Sequence, residues 1–245
     1  MKRRLTGISA IFLVASLVLG GLSLWLGENV LKLAFVHEQR NQPLVIVGLV
    51  DERVPADDQA GYLNVLADLV DSEGGEFLDD FQRVHALDGA PGSGWQRLVL
   101  LQLAHASDIA RITTADPLQR MLTQAKGRLQ LVGSFELPRR GWLPVLAVFL
   151  VRDRAMAPEL RGDPLQPILD SIALSEGRLE WYAPLLGISR DAAWQRLLVV
   201  GFASEAAALA WVRDPRLQTA RAVVRSAVHT GNLAIFTRAN GIRGR

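Results

Sequence analysis

The stretch SGWQRLVLLQLA, residues 93–104, returns as AAWQRLLVVGFA, residues 192–203. Each is a short apolar run behind a Trp-Gln-Arg head, which reads as a β-strand. The echo extends in both directions. PLVIVGLVDERV from Pro43 is matched by LPVLAVFLVRDR from Leu143, again nearly continuous apolar strands. Each leads into a stretch of helical period, carried by Tyr62, Leu63, Val65, Leu66, Leu69 and Val70 in the first case and by Leu165, Ile168, Leu169, Ile172 and Ala173 in the second. Glycines close both stretches, in EGGEF (73–77) and SEGRLEW (175–181), as helix ends favour.

A second strand is expected over 76–87 and again over 178–186, followed by turn residues and the Trp-led third strand. A second helical stretch follows in each half, around SDIARITT and SEAAALAWV, then TADPLQ (114–119) against RDPRLQ (213–218). The last strands are RLQLVGSFEL (128–137) and NLAIFTR (232–238). The order is strand, helix, strand, strand, helix, strand, twice over, which is the split βαβ or ferredoxin-like unit. The fold class is therefore α+β. A four-stranded sheet with helices on one face leaves its other face bare. With only the linker 138–142 between the halves (43–137 and 143–238), the two sheets are expected to cover each other as an intramolecular, barrel-like pseudo-dimer arising from internal duplication.

Ahead of the halves, residues 7–27 carry no charge and are dominated by Leu, Ile, Val and Phe. As a helix the run spans roughly 30 Å, enough to cross a bilayer. Lys2, Arg3 and Arg4 precede it within a basic tail, 1–6, and Glu28 follows. The positive-inside bias places the N-terminus in the cytoplasm and the rest outside it. The run is longer than the apolar core of a cleaved signal peptide and ends in no small-x-small site. The expectation is a single-pass anchor in a bacterial inner membrane with a periplasmic main domain. Residues 28–42 form a juxtamembrane helix and linker, and 239–245 a basic tail.

Composition narrows the function classes. The 27 Lys and Arg nearly balance 25 Asp and Glu, a poor electrostatic footprint for nucleic acid. There is no Cys, so no disulfide and no thiolate chemistry. The four His are scattered without metal-ligand spacing, and neither metal nor cofactor is expected. GAPGSG (89–94) lacks the Lys and the following helix of a phosphate loop.

The halves also resemble a small bacterial domain of unknown function in the dimeric α+β-barrel superfamily. The resemblance rests on Gly74-Gly75 and Gly177 before strand two, on Trp95-Gln96-Arg97 and Trp194-Gln195-Arg196, on Ser204-Glu205-Ala206-Ala207 with Trp211, and on Asp214-Pro215. The first half departs from it, with Ser107-Asp108-Ile109-Ala110 on the helix and Ile112 where Trp211 stands. The resemblance implies a range of roles: cofactor-free oxygenases, isomerases, haem-processing enzymes and ligand-binding domains. Fold alone does not choose among them.

Residue type and strand position mark the candidate site residues. Alternation along strand three puts Trp95, Arg97, Val99 and Leu101 on one side, so Arg97 and its counterpart Arg196 share equivalent faces. If that face points into the barrel, two guanidiniums could hold an anionic ligand. His85 on strand two is the acid–base candidate, without a counterpart in the second half. Glu180 and Tyr182, flanking Trp181, could line a ligand pocket or complete the barrel seam. The leading expectation is a membrane-anchored, non-enzymatic binding module whose partner is a membrane protein complex or a small ligand. The alternative is a cofactor-independent enzyme, an isomerase, oxygenase or lyase, acting on a small organic substrate, anionic or neutral, in the barrel cavity.

Overall fold

The computed structural model describes residues 40–87, 94–153, 163, 165–189, 192 and 194–239. The predicted membrane helix 7–27, the juxtamembrane helix, the glycine-rich turn 89–93, the basic termini and the side chain of His229 lie outside the described residues. Among the described residues no helix is long and apolar enough to cross a membrane.

The folded unit begins at Pro43. Strand β1 (Leu44–Asp51) leads through α1 (Ala56–Ser72) to β2 (Glu76–Ala86) and β3 (Trp95–Leu103). Two short helices follow, α2 (Ile109–Thr114) and α3 (Asp116–Ala125), then β4 (Leu129–Ser134). The second half repeats the order with β5 (Val145–Asp153), α4 (Gln166–Ile172), β6 (Arg178–Pro184), the two-residue β7 (Leu186–Gly187), β8 (Arg196–Phe202), α5 (Glu205–Arg213), α6 (Pro215–Ala227) and β9 (Val228–Arg238). The expected second helix is thus a pair of helices in each half. Asp116-Pro117 and Asp214-Pro215 start the second member of each pair, where proline's fixed φ and missing N–H cost nothing.

All strands join one antiparallel sheet in the order β6-β8-β5-β9-β2-β3-β1-β4-β7. The row contains β4-β1-β3-β2 and its counterpart β9-β5-β8-β6. Because β7 follows β6 after the single residue Leu185, the two ends of the row are one stretch of chain, and the sheet curls to a near-closed barrel. The two seams differ in length. Between β2 and β9 five residue pairs run from Phe81–Arg238 to Ala86–Ala234. Between β4 and β7 there are two, Val132–Gly187 and Gly133–Leu186.

Three apolar layers follow from this closure. Val45, Val47, Leu49, Leu98 and Leu100 of the first half meet Leu146, Val148, Leu150, Leu197 and Val199 of the second inside the barrel. The opposite faces pack under the helices, with Ile46, Leu63, Leu66, Val99 and Leu101 in the first half and Phe149, Ile168, Phe202 and Trp211 in the second. Every residue of β1 is buried, which is why its sequence is continuously apolar rather than alternating. Removing a side chain such as the fully buried Phe81 from such a core costs about 3–5 kcal/mol.

The repeated Trp-Gln-Arg head has a structural role. Register slips between Val50–Arg97 and Asp51–Trp95, so a bulge at Gln96 turns Trp95 inward while Arg97 stays on the side of Val99. Trp95 and Arg97, expected on one face, therefore lie on opposite faces, because one extra residue in a strand reverses the alternation. Trp95 meets Trp194 edge-on, with ring centroids 6.4 Å apart. The two echo tryptophans fill one end of the barrel. Trp142, from the linker, fills the other, stacked on Phe81 at 5.4 Å and tilted against Trp181 at 6.3 Å.

Candidate active site at the barrel mouth

The linker 138–142 crosses the barrel end that Trp142 fills. Beside it lies a cleft of about 250 Å³, just below the usual size of a pocket for a drug-sized ligand. Its floor is apolar, made by Leu78, Leu100 and Trp142, and its rim is charged, made by Glu76, Asp79, Arg139, Arg140 and Arg238 beside Gln102. Local strand geometry supplies this set. Register shifts between Phe77 and Asp79, so a bulge at Leu78 brings Asp79 onto the inward face with Leu100 and Phe81. Gln102 is the last inward position of β3.

Arg238, at the end of β9, places Nε and Nη2 at 2.9 and 2.8 Å from Oδ2 of Asp79. Among the described residues, no ion pair is formed by the exposed Arg139, Arg140 or Glu76. The rim thus offers two guanidiniums and one carboxylate to a ligand, over an apolar floor. Guanidiniums recognise planar oxyanions through paired hydrogen bonds. A carboxylate within reach of the same ligand can take up a proton.

The linker is fastened to β6. Leu143 N–H donates to Oε1 of Glu180 at 3.1 Å, and Arg139 N–H donates to the Glu180 carbonyl at 3.4 Å. Arg178 Nη2 donates to the Gly141 carbonyl at 2.8 Å, and Trp181 Nε1 to the Glu136 carbonyl at 2.9 Å.

The residues singled out by type do not converge. Arg97 lies on the helix-covered face, with Nε 2.9 Å from Oδ1 and Nη2 2.5 Å from Oδ2 of the buried Asp80. Arg196 occupies the equivalent face of the second half, with Nη1 3.2 Å from the Tyr182 hydroxyl and 3.4 Å from Asp163 Oδ1. Register equates Asp80, opposite Val99, with Tyr182, opposite Leu198. Each arginine is therefore held by the same position of the neighbouring strand, and neither faces the barrel interior. Burial, and the hydrogen bond the Tyr182 phenol donates to Asp163, push it up to about 12 against the pull of Arg196. It stays protonated at neutral pH.

His85 sits where β2 runs beside β9, on the outer face, with Nε2 2.5 Å from Glu205 Oε1 at the start of α5. It is distant in the fold from the cleft. Glu180 touches the cleft only through the linker. The sequence does not mark the rim residues as a group, because they come from four places in the chain. The one local signal is PRRGW (138–142), two arginines and a tryptophan in a connector too short to avoid the mouth.

No protein-family model and no curated protein matches the chain. Solved structures do. An anthrone oxidase-like protein matches with a TM-score of 0.50 at 14% identity, covering 82% of this chain and 92% of that one. A candidate monooxygenase from Lactobacillus acidophilus NCFM matches at TM-score 0.43 and 10% identity, covering 80% and 94%. A mutant chlorite dismutase from Candidatus Nitrospira defluvii matches at 0.41 and 12%, covering 80% and 91%. The anthrone oxidase-like match, of the same fold, tells against the leading expectation of a non-enzymatic binding module. The chain has the dimeric α+β-barrel fold.

Proposed function

We propose that the chain is an enzyme acting on a small organic anion held in the barrel-mouth cleft, through acid–base chemistry of its own side chains. The observation that carries this reading is the cleft itself, an apolar floor of Leu78, Leu100 and Trp142 under the guanidiniums of Arg139 and Arg140 and the carboxylate of Glu76. The arginines hold the anionic end of the substrate, and Glu76 removes a proton from the carbon beside its carbonyl. Proton abstraction of this kind is a first step open to isomerases, lyases and cofactor-free oxygenases alike. The two halves are read as an internal duplication, supported by the equivalent placement of Arg97 and Arg196. The apolar run 7–27 is read as the tether that holds the barrel on the periplasmic side of the inner membrane.

The test has two arms. Small carboxylates and their neutral amides are titrated into the full chain by NMR. Carboxylates should bind at least tenfold more tightly, and the Arg139→Ala, Arg140→Ala double variant should remove the preference. Bound keto acids should exchange their acidic carbon protons with deuterated water, and Glu76→Gln should abolish exchange while leaving binding. Equal affinity for amides, or exchange untouched by Glu76→Gln, refutes the proposal.

A further inference from the structure

We infer that Glu180 is a positioning residue for the cleft: its buried carboxylate fixes the linker as a strap across the barrel mouth and so places Arg139, Arg140 and Trp142. The inference rests on the cleft being the ligand site. Glu180 is 2% exposed. Its Oε1 accepts from Leu143 N–H at 3.1 Å and from Arg178 Nε and Nη2 at 3.0 and 2.8 Å. Arg178 in turn donates to the Gly141 carbonyl, and the Glu180 carbonyl accepts from Arg139 N–H. Residues 139, 141 and 143 are thus tied to β6 on one side of the strap, leaving Arg140 and Trp142 to the other.

Two features separate this from a purely stabilising role. The bulge that carries Glu180, between Leu179 and Trp181, has a counterpart in the first half, and there the position is Leu78. An apolar residue therefore satisfies the bulge, and a buried carboxylate is a poor stabiliser beside one. The side chain is also given room at the expense of the opposite strand: a Cβ on Gly201 would lie 2.2 Å from its Oε1.

The test compares the wild-type chain with Glu180→Leu, Glu180→Gln and Glu180→Asp. Amide hydrogen exchange is followed at Arg139 and Leu143, and benzoate affinity is measured against benzamide. In Glu180→Leu the two amides should exchange at least tenfold faster while β8 keeps its protection, and the benzoate preference should fall at least tenfold. Glu180→Gln retains an acceptor for Leu143 N–H and should restore most of both. If Glu180→Leu does not fold, Glu180→Asp, one methylene short of Leu143, carries the same expectation. Wild-type exchange at the two amides, or a rise spread evenly through β6 and β8, overturns the inference. If the wild-type chain binds no carboxylate, the proposed function fails and the exchange data still decide the strap.

Discussion

Replacing Arg97 by Met distinguishes an arginine held for structure from one kept for a ligand. The guanidinium is 16% exposed and its partner Asp80 only 5%. Both carboxylate oxygens of Asp80 receive hydrogen bonds from Arg97, at 2.9 Å on Oδ1 and at 3.2 and 2.5 Å on Oδ2. Methionine keeps much of the stem but leaves a carboxylate in a layer lined by Val99 and α1. Breaking a buried pair in this way costs about 3–5 kcal/mol, because the remaining charge is uncompensated. For a folded unit of this size, each kcal/mol lowers Tm by about 2–4 °C, giving a drop of about 6–20 °C. Adding Asp80→Leu removes the stranded charge, so the double variant should recover to within about 1 kcal/mol of the wild type. Urea unfolding followed by tryptophan fluorescence measures all three. A single variant costing under about 1 kcal/mol, or a double variant as unstable as the sum of its parts, would refute the assignment.

Three further outcomes are expected. The chain has two tyrosines; Tyr62 is raised by burial and then by Asp58, and Tyr182 is raised to about 12. Absorbance at about 295 nm should therefore show both phenols titrating above the ordinary pKa of about 10, and Tyr182→Phe should delete the later step. Since the folded pKa of Tyr182 lies above its unfolded value, its contribution to stability is full below about pH 10 and is lost as pH rises towards 12, which urea midpoints across that window will register. Gly201→Ala drives a methyl into the Glu180 carboxylate and should cost about 1–3 kcal/mol; a neutral effect would show that the strap yields freely. Trp95→Ala, at a residue 7% exposed, should cost about 3–5 kcal/mol and make the Trp194 fluorescence accessible to acrylamide, whereas an unquenched Trp194 would mean that this end of the barrel is closed by other groups.

The order of elements could be read from the chain because each half spells it in the same way and because long apolar runs and 3.6-residue stripes separate strands from helices. The orientation of strand three could not. Trp95 and Arg97 share parity, and only the inserted residue at Gln96, visible as a slip against Asp51, sets them on opposite faces. Asp79 and Asp80 illustrate the same limit: adjacent in sequence and easily taken for a solvated acidic pair, they face opposite ways, one to Arg238 and the other to Arg97. The cleft was hidden for a different reason. Its charged groups are separated by as much as the span from Glu76 to Arg238, and they meet because β2 and β9 pair across the halves. Neither residue type nor local period encodes that pairing.

The unequal seams carry a consequence of their own. A barrel made by two identical chains about a twofold axis must have two identical seams, and whatever happens at one happens at the other. One polypeptide is released from that constraint. Here the β2–β9 ladder, with five pairs, is expected to act as the hinge, and the β4–β7 ladder, with two, as the clasp. A locket of this kind has a preferred way to open, along the shorter ladder, and local fluctuations of low free energy should begin there. Access to the interior is then directional, set by which edge was left with two rungs.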